Sequence, residues 1–269
     1  MGVLTKEFCS KKPVFGMVHF LPLPGSPLYD ASLGLEGIRK AAMRDAEILA
    51  RAGFDGLVFS NEGDRPYLGD VGKYTVAVMA RLVSEIAPKL GMPFGVSVLA
   101  DPEGAASVAE AVEANFVRMF LSWVFVADWG ISSPDAGRLQ RLRRSIDGKS
   151  EVLANISGHT EPMGGRKIKD IARGAVMFGL ADAVCLAGTT AGSEVPESDL
   201  IEAKEGASGA PVFVGTGASV HNLDRMLSLG DGVIVGSSLK VEGIVFNPVD
   251  PERAAAFIKK VREIRGKLP

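Results

Sequence analysis

The sequence predicts a single (β/α)8 barrel of the TIM type, spanning residues 1–269. Two observations lead to that class and a third places its working end. Short aliphatic runs alternate with longer amphipathic stretches eight times. The runs are apolar along their whole length, as expected of parallel strands covered by helices on the outside, and the count of eight selects the closed barrel over an open doubly wound sheet. Polar residues also collect where the runs end, at the face from which barrels of this class work.

The elements follow in order. The run PVFGMVHF (13–20) opens the series, and the helix after it, LEGIRKAAMRDAEILARAG, carries Ile38, Ala41, Ala42, Ala46 and Leu49 on one stripe with charges opposite. Strand two is DGLVFSN (55–61) with a helix over 75–90, and strand three is PFGVSVL (93–99) with a helix over 102–114. FVRMFLSW (116–123) precedes a helix over 134–146, and EVLANIS (151–157) precedes one over 167–179. DAVCLAG (182–188), PVFVGTG (211–217) and GVIVGSS (232–238) lead into helices over 198–207, 219–229 and 251–265. Asp101-Pro102, Ser133-Pro134 and Asp250-Pro251 each pair a capping side chain with proline at the first helical position. No linker, charge block or low-complexity tract divides the chain.

Composition narrows the function classes. Apolar residues make up 46% and charged residues 23%, as in soluble globular domains. Thirty basic against thirty-two acidic side chains give a net charge of -2, a field too weak to gather nucleic acid. Arg138, Arg141, Arg143 and Arg144 share one outer helix, the ordinary charged surface of a barrel. Cys9 and Cys185 are too few and too far apart for a disulfide framework or a thiolate metal site, so a cytoplasmic location is expected. The N-terminus lacks the hydrophobic centre of a signal peptide. No transmembrane segment is expected, because the longest uncharged apolar run, 119–127, is about half the roughly 20 residues a spanning helix needs.

The strand ends carry the candidate chemistry. GTGAS (215–219) and GSS (236–238) follow strands seven and eight, where barrels of this class bind phosphate. Gly215, Gly217, Gly236 and Ser237 either cradle phosphate oxygens with backbone N–H groups or simply make tight turns. His19 ends the first strand just before Pro22, Pro24 and Gly25, a rigid run that leads the chain away from regular structure. It is a general acid–base, a metal ligand or a core histidine bonded to loop carbonyls. Glu62 and Asp64 in SNEGDRPY offer carboxylates for proton transfer or for a divalent metal bound through oxygen, or form a charged turn. His19, Glu62, Asp64 and His159 are conceivable ligands for a divalent metal, although no ligand-set spacing supports one, and no other cofactor is assigned. His159 in ANISGHTEP is a second catalytic candidate or a loop histidine facing water.

Arg118 lies inside strand four, where a guanidinium needs an anion, either a neighbouring carboxylate or a substrate carboxylate or phosphate. Asn61, Asn155 and Lys240 complete the substrate-binding candidates. Thr189 and Thr190 follow strand six, and Asp101 is read as a helix cap, with a catalytic role as the alternative. Trp123, Phe125 and Trp129 form either a lid, a subunit contact in a homo-oligomer, or packing on the barrel rim.

Four blocks, GMVHFLPLPGSPLYD, GFDGLVFSNEGDRPY, FVRMF with its later DWG, and DGVIVGSSLKVEG, resemble in the same order those of the BtpA family. The resemblance spans nearly the whole chain. It implies a phosphate-binding barrel near the ribulose-phosphate-binding barrels. Photosynthetic members of that family are linked to photosystem I assembly or stability, and other members are described as nucleosidase-like. The chain departs from the pattern at Ser60, where relatives carry an acidic residue, and at Asn155 and Gly158-His159, where an Asp and Lys-His are expected. The function expected is an isomerase, lyase or nucleosidase-like hydrolase acting on a small phosphorylated metabolite. The alternative is a non-catalytic assembly factor that uses the barrel as a scaffold.

Overall fold

A computed structural model describes residues 2–188 and 192–267. Each of the eight aliphatic runs forms a strand of one closed parallel barrel: β1 (Val14–His19), β2 (Gly56–Ser60), β3 (Phe94–Ser97), β4 (Phe116–Phe120), β7 (Glu151–Asn155), β9 (Ala183–Leu186), β10 (Val212–Val214) and β11 (Gly232–Val235). Neighbours run in the order β1-β11-β10-β9-β7-β4-β3-β2. Closure falls on β1, which aligns His19 with Ser60 on one side and Gly16 with Val235 on the other.

Outside the strands pack α2 (Gly34–Ala52), α3 (Lys73–Ile86), α4 (Pro102–Ala111), α5 (Ala136–Ser145), α6 (Ile168–Arg173), α7 (Glu197–Gly206), α8 (Leu223–Leu229) and α9 (Pro251–Arg265). Asp101 and Asp250 cap their helices as the sequence suggests, accepting from the Gly104 N–H and from the Glu252 and Arg253 N–H groups. The start expected at Ser133-Pro134 is corrected. Asp135 is the cap of α5, because its carboxylate accepts from the Arg138 N–H and an acidic cap one turn ahead of the first apolar contact outcompetes the proline signal.

The core has two shells. Outward-facing strand residues meet the helix stripes, including Ile38, Ala42, Ala46 and Leu49 of α2. The inward-facing ones fill the barrel itself, where Phe15 stacks on Phe116 and Phe213 at centroid distances of 5.1 and 5.8 Å. Burying each such ring contributes roughly 1.5–3 kcal/mol. The short helix α1 (Lys6–Cys9) and the residues before it close the bottom, with the Val3 and Leu4 N–H groups donating to the Glu151 carboxylate at 2.6 and 2.9 Å. With the lower end plugged, any cavity must open at the other end.

Three further strands were not legible as such: β5 (Phe125–Ala127), β6 (Gly130–Ser132) and β8 (Thr160–Pro162) form an antiparallel sheet in the order β6-β5-β8. It joins the loop after β4 to the loop after β7. Each strand is three residues long, too short for alternation to register as a pattern.

Lys240 leaves the substrate-binding set. Its ammonium is buried and pairs with the Asp45 carboxylate of α2 at 3.0 Å, while the other Asp45 oxygen accepts from the Val249 N–H at 3.2 Å. The pair fastens the segment after β11 to the first long helix. Lys240→Met leaves the buried Asp45 carboxylate with only the half-exposed Arg44 guanidinium, 2.8 Å from its other oxygen, and chemical denaturation is expected to show a loss of up to about 3 kcal/mol. The double variant Asp45→Leu/Lys240→Met is expected to recover part of that loss, since no charge is then left buried alone.

Candidate functional site

The open end of the barrel holds a cavity of about 600 Å³, a size typical of small-molecule sites. His19, Glu62, Arg118, Asn155 and His159 line it, and so do Gly215, Gly217, Gly236 and Ser237. Parallel strands bring these distant positions together because all their C-terminal ends lie on one rim.

His19 ends β1 with its ring held between two partners. Nδ1 lies 3.4 Å from the Val245 carbonyl and Nε2 lies 3.9 Å from a Glu62 oxygen. Burial, with the positive charges of Lys240 and Arg118, pushes its pKa down to about 3. The Glu62 carboxyl shifts the other way, its pKa raised chiefly by burial against the pull of Arg118, the Tyr67 hydroxyl and Lys240. Both shifts favour the uncharged forms, so the contact is a neutral imidazole beside a carboxyl that gives up its proton late, rather than an ion pair. Tyr67 donates to the Glu62 carbonyl at 3.1 Å and lies 3.4 Å from its carboxylate.

Gly236 suits this arrangement, since a Cβ there would stand in tight contact, 3.2 Å from His19 Cε1. Arg118 points along the barrel interior from β4, and its Nε donates to Asn155 Oδ1 at 3.0 Å. The neighbouring carboxylate anticipated as its partner is not in ion-pair contact among the described residues. His159 sits in the left-handed region at φ 53°, with its pKa lowered by burial and by Arg118. Before it, Gly158 has φ 118°, and a side chain there would collide with Ala187.

The two glycine loops are tied to each other and to their neighbours. Ser238 Oγ donates to the Ala218 carbonyl at 2.7 Å, and Asn222 accepts from the Ser219 N–H while donating to the Gly217 carbonyl. Gly217 adopts φ 75°. Among the described residues, the N–H groups of Gly217, Ala218, Gly236 and Ser237 have no acceptor in the chain.

Besides Lys240, two candidates do not line the cavity. Asp64 accepts from the Leu23 N–H at 2.7 Å and from Asn61 Nδ2 at 3.1 Å, and Asn61 Oδ1 accepts from the Leu99 N–H at 2.8 Å. Both are consumed in fixing the proline loop: Gly63 donates to the Phe20 carbonyl and has no room for a side chain against Pro22. The charged-turn reading therefore describes Asp64, and the proline run is held down on the β2 loop beside the mouth. Thr189 and Thr190 lie outside the described residues.

The aromatic segment forms the rim. Trp129 lines the cavity and meets Tyr67 edge-on at 5.9 Å, while Trp123 lies under the Arg166 guanidinium at 4.3 Å and donates to the Met163 carbonyl. Across the mouth, Arg65 stacks on Phe246 at 3.6 Å. Arg65, Tyr67, Asp128 and Phe246 also line the cavity and escaped sequence reading, because nothing in their local pattern separates them from ordinary loop residues. Among the described residues, no cluster of three or more His, Cys, Asp or Glu is placed to hold a metal. No helix among them is long and apolar enough to cross a membrane.

Fold and site together define a (β/α)8 barrel with a substrate-sized, partly charged cavity at its C-terminal mouth. The chain belongs to the BtpA family, which it matches over residues 10–263. It is 33% identical over 267 residues to the putative sgc region protein SgcQ of Escherichia coli (strain K12), covering 98% of this chain and 100% of that one. It is also 33% identical over 264 residues to the photosystem I biogenesis protein BtpA of Synechocystis, covering 97% and 91%. The barrel is shared with thiamine phosphate pyrophosphorylase from Pyrococcus furiosus (TM-score 0.56, 12% identity, 95% and 98% of the two chains). It is shared as well with phosphoribosyl anthranilate isomerase from Thermus thermophilus (TM-score 0.55, 13% identity, 94% and 99%). At those identities the likeness is one of fold.

Burial of His19 has a consequence for stability. The unfolded chain takes up a proton at the ordinary histidine value near 6.5, whereas the folded site resists until about pH 3. Stability from this residue is therefore complete above about pH 6.5 and lost progressively as pH falls toward 3. His19→Gln is expected to flatten the acid limb of the denaturation midpoint plotted against pH; an unchanged limb assigns it to other groups.

Proposed function

We propose that this protein is an enzyme acting on a small phosphorylated metabolite, with proton transfer at the mouth of the barrel. One observation carries the reading: two glycine loops with unused N–H groups face the same cavity as a buried carboxyl–imidazole pair. The loops offer donors to phosphate oxygens, with Gly215, Gly217, Gly236 and Ser237 allowing close approach. Glu62 is placed to carry the proton, because a carboxyl that ionises late works nearer neutral pH than an exposed one. His19, neutral over the working range, donates or accepts a hydrogen bond without changing charge, and His159 borders the same space. The reaction classes that need only these groups are isomerisation, lyase cleavage and nucleosidase-like hydrolysis. Two barrels of the same fold take their names from phosphorylated compounds, which agrees with this reading.

Inorganic phosphate and a panel of sugar phosphates test the proposal by thermal shift. A ligand at a hundredfold excess over its Kd stabilises by about 2.7 kcal/mol, enough to raise the melting temperature by several degrees. Ser237→Asp places a negative charge beside the free N–H groups and is expected to abolish the rise while leaving the unliganded melting temperature nearly unchanged. Wild-type protein that melts identically with and without every phosphate compound sinks the proposal. With a substrate in hand, Glu62→Gln is expected to lower kcat about 100-fold or more. If Glu62 acts as the base, wild-type kcat/KM rises with pH through a value above the ordinary carboxylate range.

One observation favours a second reading. Val126 and Ile131 face each other across β5 and β6 and are 46% and 68% exposed, an apolar pair outside the site. A relative named as a photosystem I biogenesis protein suggests an assembly role for such a face. Trp129, turned toward the cavity, is not part of it. In that reading Ile131→Lys abolishes capture of a partner protein while phosphate binding persists.

A further inference from the structure

Among the described residues the guanidinium of Arg118 makes no ion pair, although Glu62 acts on it through space. None of the carboxylates lining the cavity stands within ion-pair distance of it, and three of them have closer partners. Glu62 faces His19 at 3.9 Å and Tyr67 at 3.4 Å. Asp101 accepts from the Gly104 and Val71 N–H groups at 2.9 and 3.0 Å. Glu194 accepts from Asn222 at 2.7 Å and pairs with Arg225. Asp128 lines the cavity without an ion pair to Arg118.

The position of Arg118 is also built. Asn155, ending β7, takes the Nε hydrogen bond and so turns the two terminal nitrogens toward the barrel axis. Gly215 leaves space for them, since a Cβ there would stand 2.8 Å from Nη2 and 2.5 Å from the Cys185 sulfur. Cys185 is a thiol whose pKa is raised by burial, so it supplies no anion. An uncompensated cation in a partly desolvated space is costly, and the usual resolution is an anion that arrives with the ligand.

We propose that Arg118 binds a carboxylate of the ligand, so that the substrate class is a small phosphorylated carboxylic acid. The phosphate half of this statement rests on the function proposed above; the carboxylate half rests on Arg118 alone. A planar two-oxygen group matches the end-on fork that Asn155 leaves free. Gly215 borders the guanidinium, so the phosphate is assigned to the free N–H groups of Gly217, Ala218, Gly236 and Ser237 and the carboxylate to Arg118 beside them. Arg118 contacts the ligand; Asn155 is a positioning residue that sets the angle of the fork.

Isothermal titration with 3-phosphoglycerate, glycerol 3-phosphate, glycerate and inorganic phosphate tests the inference. Wild-type protein is expected to bind 3-phosphoglycerate at least tenfold more tightly than glycerol 3-phosphate. Arg118→Met is expected to bring that ratio near one without weakening glycerol 3-phosphate. Arg118→Lys, which keeps the charge and loses the fork, is expected to lose most of the preference and carries the test if the methionine variant fails to fold. Asn155→Ala is expected to reduce the ratio while phosphate affinity holds. Equal wild-type affinities for the two phosphates, or a preference that survives in Arg118→Lys and Arg118→Met, overturns the inference. Failure of the phosphate reading looks different: phosphate and glycerol 3-phosphate do not bind, yet glycerate does, and its binding still requires Arg118.

Discussion

Closure of the barrel at β1 is the constraint on which the rest depends. Residues 19 and 236 are more than 200 positions apart, yet pairing of β1 with β11 brings Gly236 so close to His19 that a Cβ at the glycine would stand 3.2 Å from the imidazole. The same strand aligns His19 with Ser60 and so delivers the loop carrying Glu62 to the other side of the imidazole. The site is a by-product of register: a slip of one residue in either ladder would turn His19 from the mouth toward the helices.

Burial then decides the electrostatics of that end. The lower barrel is filled by stacked phenylalanines and sealed by the N-terminal segment, and the upper rim carries Trp129, Tyr67 and Phe246. In such surroundings His19 stays neutral and Glu62 ionises late, although Arg118 and Lys240 both act on them. For Glu62 desolvation outweighs the favourable charges. For His19 desolvation and the cations act in the same direction, which is why its shift is large. Lys240 shows the opposite solution to the same problem, because its charge is matched by Asp45 within the protein and needs nothing from outside.

The barrel was legible because its signal is repeated. Eight apolar runs and the stripes between them recur with a period that no single substitution hides, and two of the three Asp/Ser-Pro starts coincide with true caps. The cavity lining was legible to the extent that strand ends determine it: His19, Asn155 and the glycines of the last two loops follow from where their strands stop, and Arg118 from a charged side chain inside β4. Loop residues were harder. Asp64 and Glu62 stand two apart in one turn, but one carboxylate is used up on the Leu23 N–H while the other faces the cavity, and nothing in SNEGDRPY distinguishes them. Lys240 follows GSS closely enough to suggest a ligand contact; its partner Asp45 lies 195 residues away on α2, a pairing that only the closed barrel creates.

The same argument explains the small sheet over the mouth. Its strands are defined by contact between the loops after β4 and β7, so neither segment alone carries a strand pattern. The left-handed backbone at Trp123 and His159, at φ 78° and 53°, lies in those loops. Such conformations persist where surroundings hold them, and here the Trp123 indole hydrogen bond to Met163 and its stacking with Arg166 do so. The rim that encloses the cavity is thus built from irregular backbone supported by side chains. The groups beneath it sit on strands, so rim geometry can vary among related barrels while the positions of His19 and Arg118 stay fixed by the sheet.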